Sequence, residues 1–260
     1  MIKTHASFAL SLSGGGARGI FHAGFLQALD EADLKPEAIA GASMGAIVGA
    51  FYAAGVEPRE MLKAIKTPDL MHFRSWIGLK GGIGSLDVMR DQLFTTTGFD
   101  NFDQLIIPLT VSVTNINTGK NELISSGNLM DAVAASASIP IVFVPVKIGN
   151  HYYLDGGLTL NMPVKCLEKE GRPIIGLDCN YLDENDVEYS SLMPVIERTL
   201  RIAANYTMQD QIEACTVYIS SEKMKDYNTF DFEKANEIFD IGYRSGLEKI
   251  PLIQRALLRK

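Results

Sequence analysis

The stretch that decides the fold is residues 38–56, AIAGASMGAIVGAFYAAGV, an uncharged run that contains the G-x-S-x-G segment Gly41-Ala42-Ser43-Met44-Gly45. We predict a short buried strand over 38–42 and a helix over 45–54. A serine at such a junction is typical of a nucleophile elbow, in which flanking glycines permit a tight turn and the hydroxyl stands above the sheet. On spacing alone, Gly and Ser that merely fill a strand-to-helix turn remain an alternative.

The same run reaches transmembrane length and carries Gly41, Gly45 and Gly49 at four-residue spacing, a pattern also found at the packing faces of membrane helices. Its composition is mostly Ala and Gly, with few large apolar residues. A buried strand followed by a buried helix therefore explains the run better than a membrane span does.

Upstream, residues 9–24 read ALSLSGGGARGIFHAG, and Gly14, Gly16 and Gly19 match the spacing G-x-G-x-x-G. We predict a strand over 8–12 and a helix over 19–30. Two kinds of site use such a loop, because bare backbone amides at a helix start face negative charge. One is a dinucleotide cradle, and the other is a hole for a transient oxyanion.

The dinucleotide alternative requires an acidic residue about twenty positions after the glycines, at the end of the next strand. Glu37 lies at nearly that distance, but it precedes the predicted strand 38–42. Ser43 occupies the place where the ribose-binding acid should be. The oxyanion interpretation is favoured, and a dinucleotide-binding protein of Rossmann type is kept as the alternative.

A serine nucleophile needs a base, and the four histidines of the chain, His5, His22, His72 and His151, offer a poor one. The usual order in α/β-hydrolases is serine, acid, histidine, and no histidine follows His151. His151 itself lies in a predicted strand. Attention therefore shifts to carboxylates at strand ends, which are Asp155, in Asp155-Gly156-Gly157, and Asp178.

Strands alternate with helices along the rest of the chain. This order predicts an α/β three-layer sandwich, in which helices cover both faces of a mainly parallel central sheet, and one domain over residues 1–260. The further predicted strands are 108–115, 144–148, 151–154, 173–178 and 216–219. The further predicted helices are one after Pro58, then 87–94, 129–138, 163–170, 190–214 and 232–248.

Composition limits the function classes. A net charge of −7 and a pI near 5.2 argue against nucleic-acid binding. Cys166, Cys179 and Cys215 are odd in number and lack zinc spacing, which favours reduced thiols in a cytoplasmic protein. The first residues lack the apolar core of a signal peptide. We expect no metal and no cofactor.

Two segments bear on lipid contact. Residues 70–86 combine several large apolar side chains with glycines, which fits either a lid over an acyl chain or ordinary core packing. The C-terminal IPLIQRALLRK is basic and amphipathic. It either rests on an anionic lipid surface or packs its leucines on the domain. Because the protein is acidic overall, we expect at most transient contact with a membrane surface.

Four motifs, GGGARG, GASMG, ASASIP at 135–140 and DGG at 155–157, occur in an order that resembles the patatin-like phospholipase family. Members of this family are lipid acyl hydrolases with a Ser–Asp dyad. The resemblance implies the nucleophile Ser43, the proton acceptor Asp155, and a lipid acyl ester substrate such as a phospholipid or lysophospholipid, cleaved through an acyl-enzyme. It covers about residues 7–165 and leaves the final hundred residues without a motif.

The resemblance also implies an oxyanion hole formed by Gly14, Gly15 and Gly16, with Arg18 helping to hold it. Further glycines belong to the same motifs, namely Gly19, Gly41, Gly45, Gly156 and Gly157. A non-catalytic regulator that keeps the fold is a second alternative. The head group, the chain length and the oligomeric state are left open at this point.

Overall fold

The computed structural model describes residues 7–66, 86–168, 171–182 and 189–258, apart from the side chain at position 193. Within these ranges eight strands form one mixed sheet. The strands are β1 (Ala9–Leu12), β2 (Ala38–Ala42), β3 (Leu109–Asn115), β4 (Lys120–Ile124), β5 (Val146–Ile148), β6 (His151–Asp155), β7 (Ile174–Asp178) and β8 (Val217–Ser220). Their order is β5-β6-β3-β2-β1-β7-β8, with β4 paired to β3 outside this path.

The strands β3, β2, β1, β7 and β8 run parallel, and β4, β5 and β6 add antiparallel pairings at one side. Parallel neighbours need crossover connections, which the helices provide. The helices are α1 (Ile20–Glu31), α2 (Met44–Ala53), α3 (Pro58–Ile65), α4 (Asp87–Thr97), α5 (Leu129–Ser136), α6 (Leu192–Tyr206), α7 (Gln209–Ile212) and α8 (Ala235–Leu258).

Alternate side chains of the central strands enter two cores of unequal size. Leu10, Leu12 and Ile39 join a large core that continues into α1, α2, α5 and α8. Ala9 and Ala40 face the other way, into a small core with residues of α7 and of the turn Lys165–Leu167. Strands buried on both faces carry few polar residues, as these do. The predicted α/β sandwich is therefore confirmed.

The strand β3 explains how distant parts of the chain meet. Residues 111–112 of β3 pair with β2 on one edge and with β4 on the other. Residues 113–115 pair with β4 and also with β6. Because a strand has two edges, β6 lies on the same edge of β3 as β2, beyond the carboxyl end of β2. The end of β6 is thereby brought to the end of β2.

Some boundaries differ from those predicted. The prediction lacks β4, whose KNELI sequence is exposed or half-buried and has little apolar signal. The predicted helix 163–170 is wrong over its described part, which forms a 3₁₀ turn at Lys165–Leu167. The segment 190–214 divides into α6 and α7, and the C-terminal helix α8 continues through Pro251 to Leu258. The proposed lid, 70–86, lies outside the described residues except at Leu86.

None of the helices in the described ranges is both long and apolar enough to cross a membrane. The run 38–56, which has transmembrane length, is instead β2, a turn and α2. The described part of the basic C-terminal segment, residues 250–258, is the end of α8, where Ile253 is buried and Leu258 is exposed. The three cysteines are unpaired.

Candidate active site

The predicted nucleophile elbow corresponds to a tight turn at Ser43, where β2 passes into α2. Ser43 has a φ of 51° and a ψ of −124°, a backbone conformation that costs a non-glycine residue about 1–3 kcal/mol and must be held by its surroundings. The Ser43 N–H donates to Ser136 Oγ at 2.8 Å, and the Ser136 hydroxyl donates to the Ser112 carbonyl at 2.7 Å. Ser136, from the ASASIP segment, thus ties the elbow to β3.

The glycines of the elbow are required by close approach. A Cβ added at Gly45 would lie 2.4 Å from the Leu12 carbonyl oxygen, so α2 begins directly against the end of β1. A Cβ added at Gly41 would lie 2.5 Å from the Gly45 carbonyl oxygen. Larger residues at either position would push the helix off the sheet and move Ser43.

Asp155 is the last residue of β6 and meets Ser43 because β6 extends the line of β2. The Ser43 hydroxyl donates to Asp155 Oδ2 at 2.7 Å. Asp155 Oδ1 accepts the Gly157 N–H at 2.8 Å, and the Thr114 hydroxyl donates to the Asp155 carbonyl at 2.8 Å. One carboxylate oxygen is therefore held by the backbone, while the other faces the serine.

Burial tunes this carboxylate toward a base. Asp155 is 8% exposed, and burial raises the pKa of its carboxyl from 3.8 to about 6, against the opposing effect of the hydrogen bonds from Ser43 and Gly157. The carboxylate remains the main form at neutral pH. A base whose pKa lies near the operating pH transfers a proton more effectively than an ordinary aspartate does.

The glycine-rich loop follows β1 and enters the 3₁₀ turn Gly16–Gly19. The Gly14 N–H donates to the Asn161 carbonyl at 3.1 Å, so this amide is already used. Neither Gly15 nor Gly16 donates its amide to an acceptor within the described residues. Gly16 has a φ of 58°, and a Cβ there would lie 2.3 Å from the Thr229 carbonyl oxygen. Both glycines line the cavity that contains Ser43.

Asn180, which the sequence analysis did not single out, fixes this loop. Its Nδ2 donates to the Gly14 carbonyl at 2.6 Å, and its Oδ1 accepts from Arg18 Nη2 at 3.1 Å. In a trans peptide the C=O and N–H point in opposite directions. A Gly14 carbonyl held by Asn180 therefore turns the Gly15 N–H the other way.

Asp178, the second strand-end carboxylate, supports Asn180 and does not reach Ser43 in any described hydrogen bond. Asp178 Oδ1 accepts the Asn180 backbone N–H at 2.8 Å, and the Tyr218 hydroxyl donates to Oδ2 at 2.9 Å. Burial raises the pKa of this carboxyl above its ordinary value, against the opposing effect of its four hydrogen bonds. Asp178 is thus part of the scaffold under the loop.

Arg18 is 1% exposed, and its hydrogen bonds connect the glycine-rich loop to later parts of the chain. Besides Asn180, its guanidinium donates to the Tyr227 carbonyl at 3.2 Å and lies 3.5 Å from a carboxylate oxygen of Glu197.

The remaining motif glycines leave no room for a side chain. A Cβ added at Gly19 would lie 2.5 Å from the Met44 side chain. A Cβ at Gly156 would lie 2.1 Å from a carbonyl oxygen, and one at Gly157 would lie 2.7 Å from a side-chain amide oxygen.

Neither of the two described histidines is suited to be the base for Ser43. His22 is buried and bonds the Ser13 carbonyl at 2.8 Å, and burial lowers its pKa to about 4. His151 is exposed and begins β6, whereas Asp155 ends it. Neither His5 nor His72 lies in the described ranges.

Two cavities meet at Ser43, with empty volumes of about 680 and 690 Å³ that include space open to solvent. One, which we call the apolar cavity, lies among α2, α3, α4 and the segment that follows α5. Its apolar lining comprises Met44, Ile47, Phe51, Ala64, Ile65, Leu86, Met89, Ala137, Ile139, Phe143, Phe230 and Phe232. The other, which we call the polar cavity because charged and amide side chains line it among apolar ones, contains Asp155, the glycine loop, Asn180 and one face of α6.

Known proteins resemble this chain in both sequence and fold. Lysophospholipase nte1 of Emericella nidulans is 27% identical over 278 aligned positions, which cover 92% of this chain and 18% of that protein. Lysophospholipase nte1 of Aspergillus oryzae is 29% identical over 278 positions, covering 94% and 18%. The chain thus spans about a fifth of the length of these curated relatives.

Among solved structures, the ExoU–SpcU complex from the type III secretion system of Pseudomonas aeruginosa matches with a TM-score of 0.55 and 17% identity, covering 96% of this chain and 51% of that one. This likeness concerns the fold. The family model described as patatin-like phospholipase matches residues 10–167, from β1 through the elbow to beyond Asp155. Because that match includes more than half of the 260 residues, the chain belongs to the patatin-like phospholipase family.

Proposed function

We propose that this chain is a serine lipid acyl hydrolase, which cleaves a carboxylic ester of a long-chain lipid through a Ser43–Asp155 dyad. The observation that carries the proposal is the 2.7 Å hydrogen bond from the Ser43 hydroxyl to a buried carboxylate, on an elbow beside two unused backbone amides. Family membership and the lysophospholipase relatives support the same reaction class.

In the proposed reaction, Ser43 Oγ attacks the carbonyl carbon of the ester while Asp155 Oδ2 accepts its proton. The N–H groups of Gly15 and Gly16 stabilise the oxyanion, and the start of α2 adds its positive end. Collapse of the intermediate breaks the C–O bond, and Asp155 returns the proton to the departing alcohol. Water, deprotonated by Asp155, then attacks the carbonyl carbon of the acyl-enzyme. The bond to Ser43 Oγ breaks, Asp155 returns the proton to Ser43, and the fatty acid is released.

The apolar cavity is the proposed site of the acyl chain, because its lining is apolar and it opens at Ser43. A lysophospholipid, a phospholipid or another long-chain ester meets this requirement. Since such lipids reside in bilayers and micelles, the proposal includes transient contact of the protein with a lipid surface.

Product analysis by mass spectrometry against a panel of lipid esters tests this function, with Ser43→Ala and Asp155→Asn as controls. We expect wild type to release a fatty acid and both variants to lose at least about 1000-fold in kcat, as loss of a nucleophile or its base does elsewhere. A folded Ser43→Ala protein that turns over at the wild-type rate contradicts the dyad.

The non-catalytic alternative is tested by labelling with a fluorophosphonate probe, which reacts with an activated serine alone. We expect labelling of wild type and none of Ser43→Ala. The dinucleotide alternative is not favoured: Glu37 lies at the amino end of β2, whereas the glycine loop lies at the carboxyl end of the parallel strand β1. Glu37 and the glycine loop therefore lie at opposite ends of these two parallel strands.

A further inference from the structure

The polar cavity has a cation whose charge the described residues leave without a carboxylate partner of its own. One face of α6 lines this cavity with Ile196, Glu197, Leu200, Arg201 and Ala204. The same cavity contains Ser43 and Asp155. A ligand that reacts at Ser43 therefore passes the Arg201 side chain if it extends along α6.

The other cation of the cavity, Arg18, is already neutralised. It lies 3.5 Å from a carboxylate oxygen of Glu197, and it also donates to Asn180 and the Tyr227 carbonyl. The same Glu197 oxygen accepts the N–H and the hydroxyl of Thr229 at 2.7 and 2.9 Å. Arg18 thus has a carboxylate partner among the described residues, although its buried Nε has no hydrogen-bond partner there.

Arg201 differs from Arg18 because no ion pair within 4.0 Å joins it to a carboxylate of the described residues, whereas Arg18 pairs with Glu197. Its Nη2 donates to the Tyr181 carbonyl at 2.8 Å, and its Nε, like that of Arg18, is buried without a partner in the described part of the chain. Burial, followed by the nearby charge of Arg18, lowers the pKa of Arg201 to about 10, against the opposing effect of the Glu197 carboxylate. An anion bound beside Arg201 would relieve both effects, because it supplies an acceptor and an opposite charge.

We propose that Arg201 forms an anion subsite for the phosphodiester of a lysophospholipid, the leaving group of the reaction proposed above. This proposal rests on the hydrolase function. With the acyl chain in the apolar cavity and the ester carbonyl at Ser43, the alcohol side of the ester extends into the polar cavity. A planar guanidinium donates two parallel hydrogen bonds to phosphate oxygens, which makes arginine well suited to that group.

The test compares two substrates with the same acyl chain, 1-acyl-lysophosphatidylcholine and the corresponding 1-monoacylglycerol, which lacks the phosphate. The values of kcat/KM are measured for wild type, Arg201→Gln and Arg244→Gln, whose arginine is exposed on α8. We expect Arg201→Gln to lose at least about tenfold on the lysophospholipid and to stay within about twofold of wild type on the monoacylglycerol, since a charge-assisted hydrogen bond has that effect. Arg244→Gln should match wild type on both.

Three results would overturn the subsite. An equal loss of kcat/KM on both substrates would mean that Arg201 supports the fold of the active site and does not bind the phosphate. The other two are no loss on either substrate, and a wild type that cleaves only the monoacylglycerol. Circular dichroism and thermal melting establish that Arg201→Gln is folded. Failure of the hydrolase function gives a different pattern, in which wild type cleaves neither ester or Ser43→Ala is as active as wild type.

Discussion

At the scale of single residues, the proposed role of Asp155 as the base predicts how activity depends on pH. A general base must be ionised, and burial raises the pKa of Asp155 to about 6. We predict that kcat/KM for an uncharged substrate such as a monoacylglycerol falls below pH 6, approaching a tenfold loss for each further pH unit. Product release measured by mass spectrometry from pH 8 to pH 4.5 checks this, with circular dichroism to establish folding. A flat profile over that range contradicts a carboxylate base.

The same pKa makes Asp155 costly to the fold. A folded-state pKa above the ordinary 3.8 means that the carboxyl contributes fully to stability below pH 4 and loses that contribution as the pH rises through about 6. The shift of about two pKa units corresponds to about 3 kcal/mol. We therefore predict that Asp155→Asn, although inactive, has a higher free energy of unfolding than wild type at pH 8.

Denaturant titrations at pH 4.5, 6 and 8 measure this difference, which should grow with pH. Asn can still accept the Gly157 N–H, so the turn after β6 is kept. Asp226→Asn, at an exposed position, is the control and should change stability little. A variant less stable than wild type at every pH would mean that the carboxylate stabilises the fold.

Asn180 offers a test of loop positioning. Its Nδ2 holds the Gly14 carbonyl, so Asn180→Ala frees the peptide that carries the Gly15 amide. We predict a fall in kcat of about tenfold to hundredfold with KM nearly unchanged, because an oxyanion donor acts in the transition state. Steady-state kinetics and the rate of fluorophosphonate labelling check this, and Asn236→Ala, an exposed asparagine of α8, is the control. A rise in KM at constant kcat would contradict the positioning role.

Motifs predicted some of these residues and not others, for a physical reason. Ser43 and Asp155 stand beside glycines that the backbone itself requires, so their local sequence carries a signal. Asn180 lies in no recognised motif, and Ser136 lies in ASASIP without an assigned role, because they bond Gly14 and Ser43, which lie far away in the chain. A single sequence holds no trace of such long-range pairings. Whether the dyad is catalytic stays a prediction until the variants are assayed.

At the scale of elements, the contact between α2 and β1 fixes the position of Ser43 relative to the sheet. A Cβ at Gly45 would meet two backbone carbonyl oxygens, those of Leu12 at 2.4 Å and Ser13 at 2.7 Å, which cannot move without the strand. We predict that Gly45→Ala destabilises the protein by about 2 kcal/mol or more. It should also lower kcat, since Ser43 precedes the displaced helix.

Gly49→Ala, one turn later in α2, is the matched comparison. Its Cβ would lie 3.1 Å from Leu109 Cδ1 and 3.3 Å from Ile39 Cγ2, both side-chain ends that can shift. Alanine also favours the helix. Thermal melting should therefore show a smaller loss for Gly49→Ala than for Gly45→Ala, with activity kept. Equal losses in both variants would mean that the contact with β1 is not special.

Elements with clear apolar patterns were also those predicted best. The strand β2 has the predicted bounds, and α2 begins one residue earlier than predicted. The edge strand β4 was missed because exposed pairing needs no apolar face. The antiparallel position of β6 beside β2 depends on both edges of β3, and no local pattern encodes it. That position brings Asp155 to Ser43.

At the scale of the whole molecule, the proposed reaction divides substrate recognition between two cavities that meet at Ser43 and differ in most of their lining. The apolar cavity is lined by α2, α3, α4, the segment after α5, and Phe230 and Phe232, whereas the polar cavity is lined by the glycine loop and α6. Both α6 and the segment of Phe230 and Phe232 lie beyond the residues that the family model matches, so this part of the chain contributes to both cavities. Chain length and head group should consequently respond to separate substitutions.

Ala64 and Ala204 provide the matched pair for this separation. Ala64, on α3, lines the apolar cavity, and Ala204, on α6, lines the polar one. We predict that Ala64→Leu lowers kcat/KM about tenfold for a sixteen-carbon acyl ester relative to a four-carbon ester, because added side-chain volume excludes the end of the longer chain. Ala204→Leu should leave this ratio unchanged and act on the head group.

Both variants are assayed with esters of one alcohol and several acyl lengths, and thermal melting identifies any loss of folding. If Ala204→Leu, and not Ala64→Leu, changes the chain-length profile, the acyl chain occupies the polar cavity and the proposed orientation of the substrate is reversed. If both variants change it equally, the two cavities act as one binding space around Ser43. A change confined to Ala64→Leu leaves the polar cavity to the alcohol, which is the orientation that brings Arg201 beside the phosphodiester.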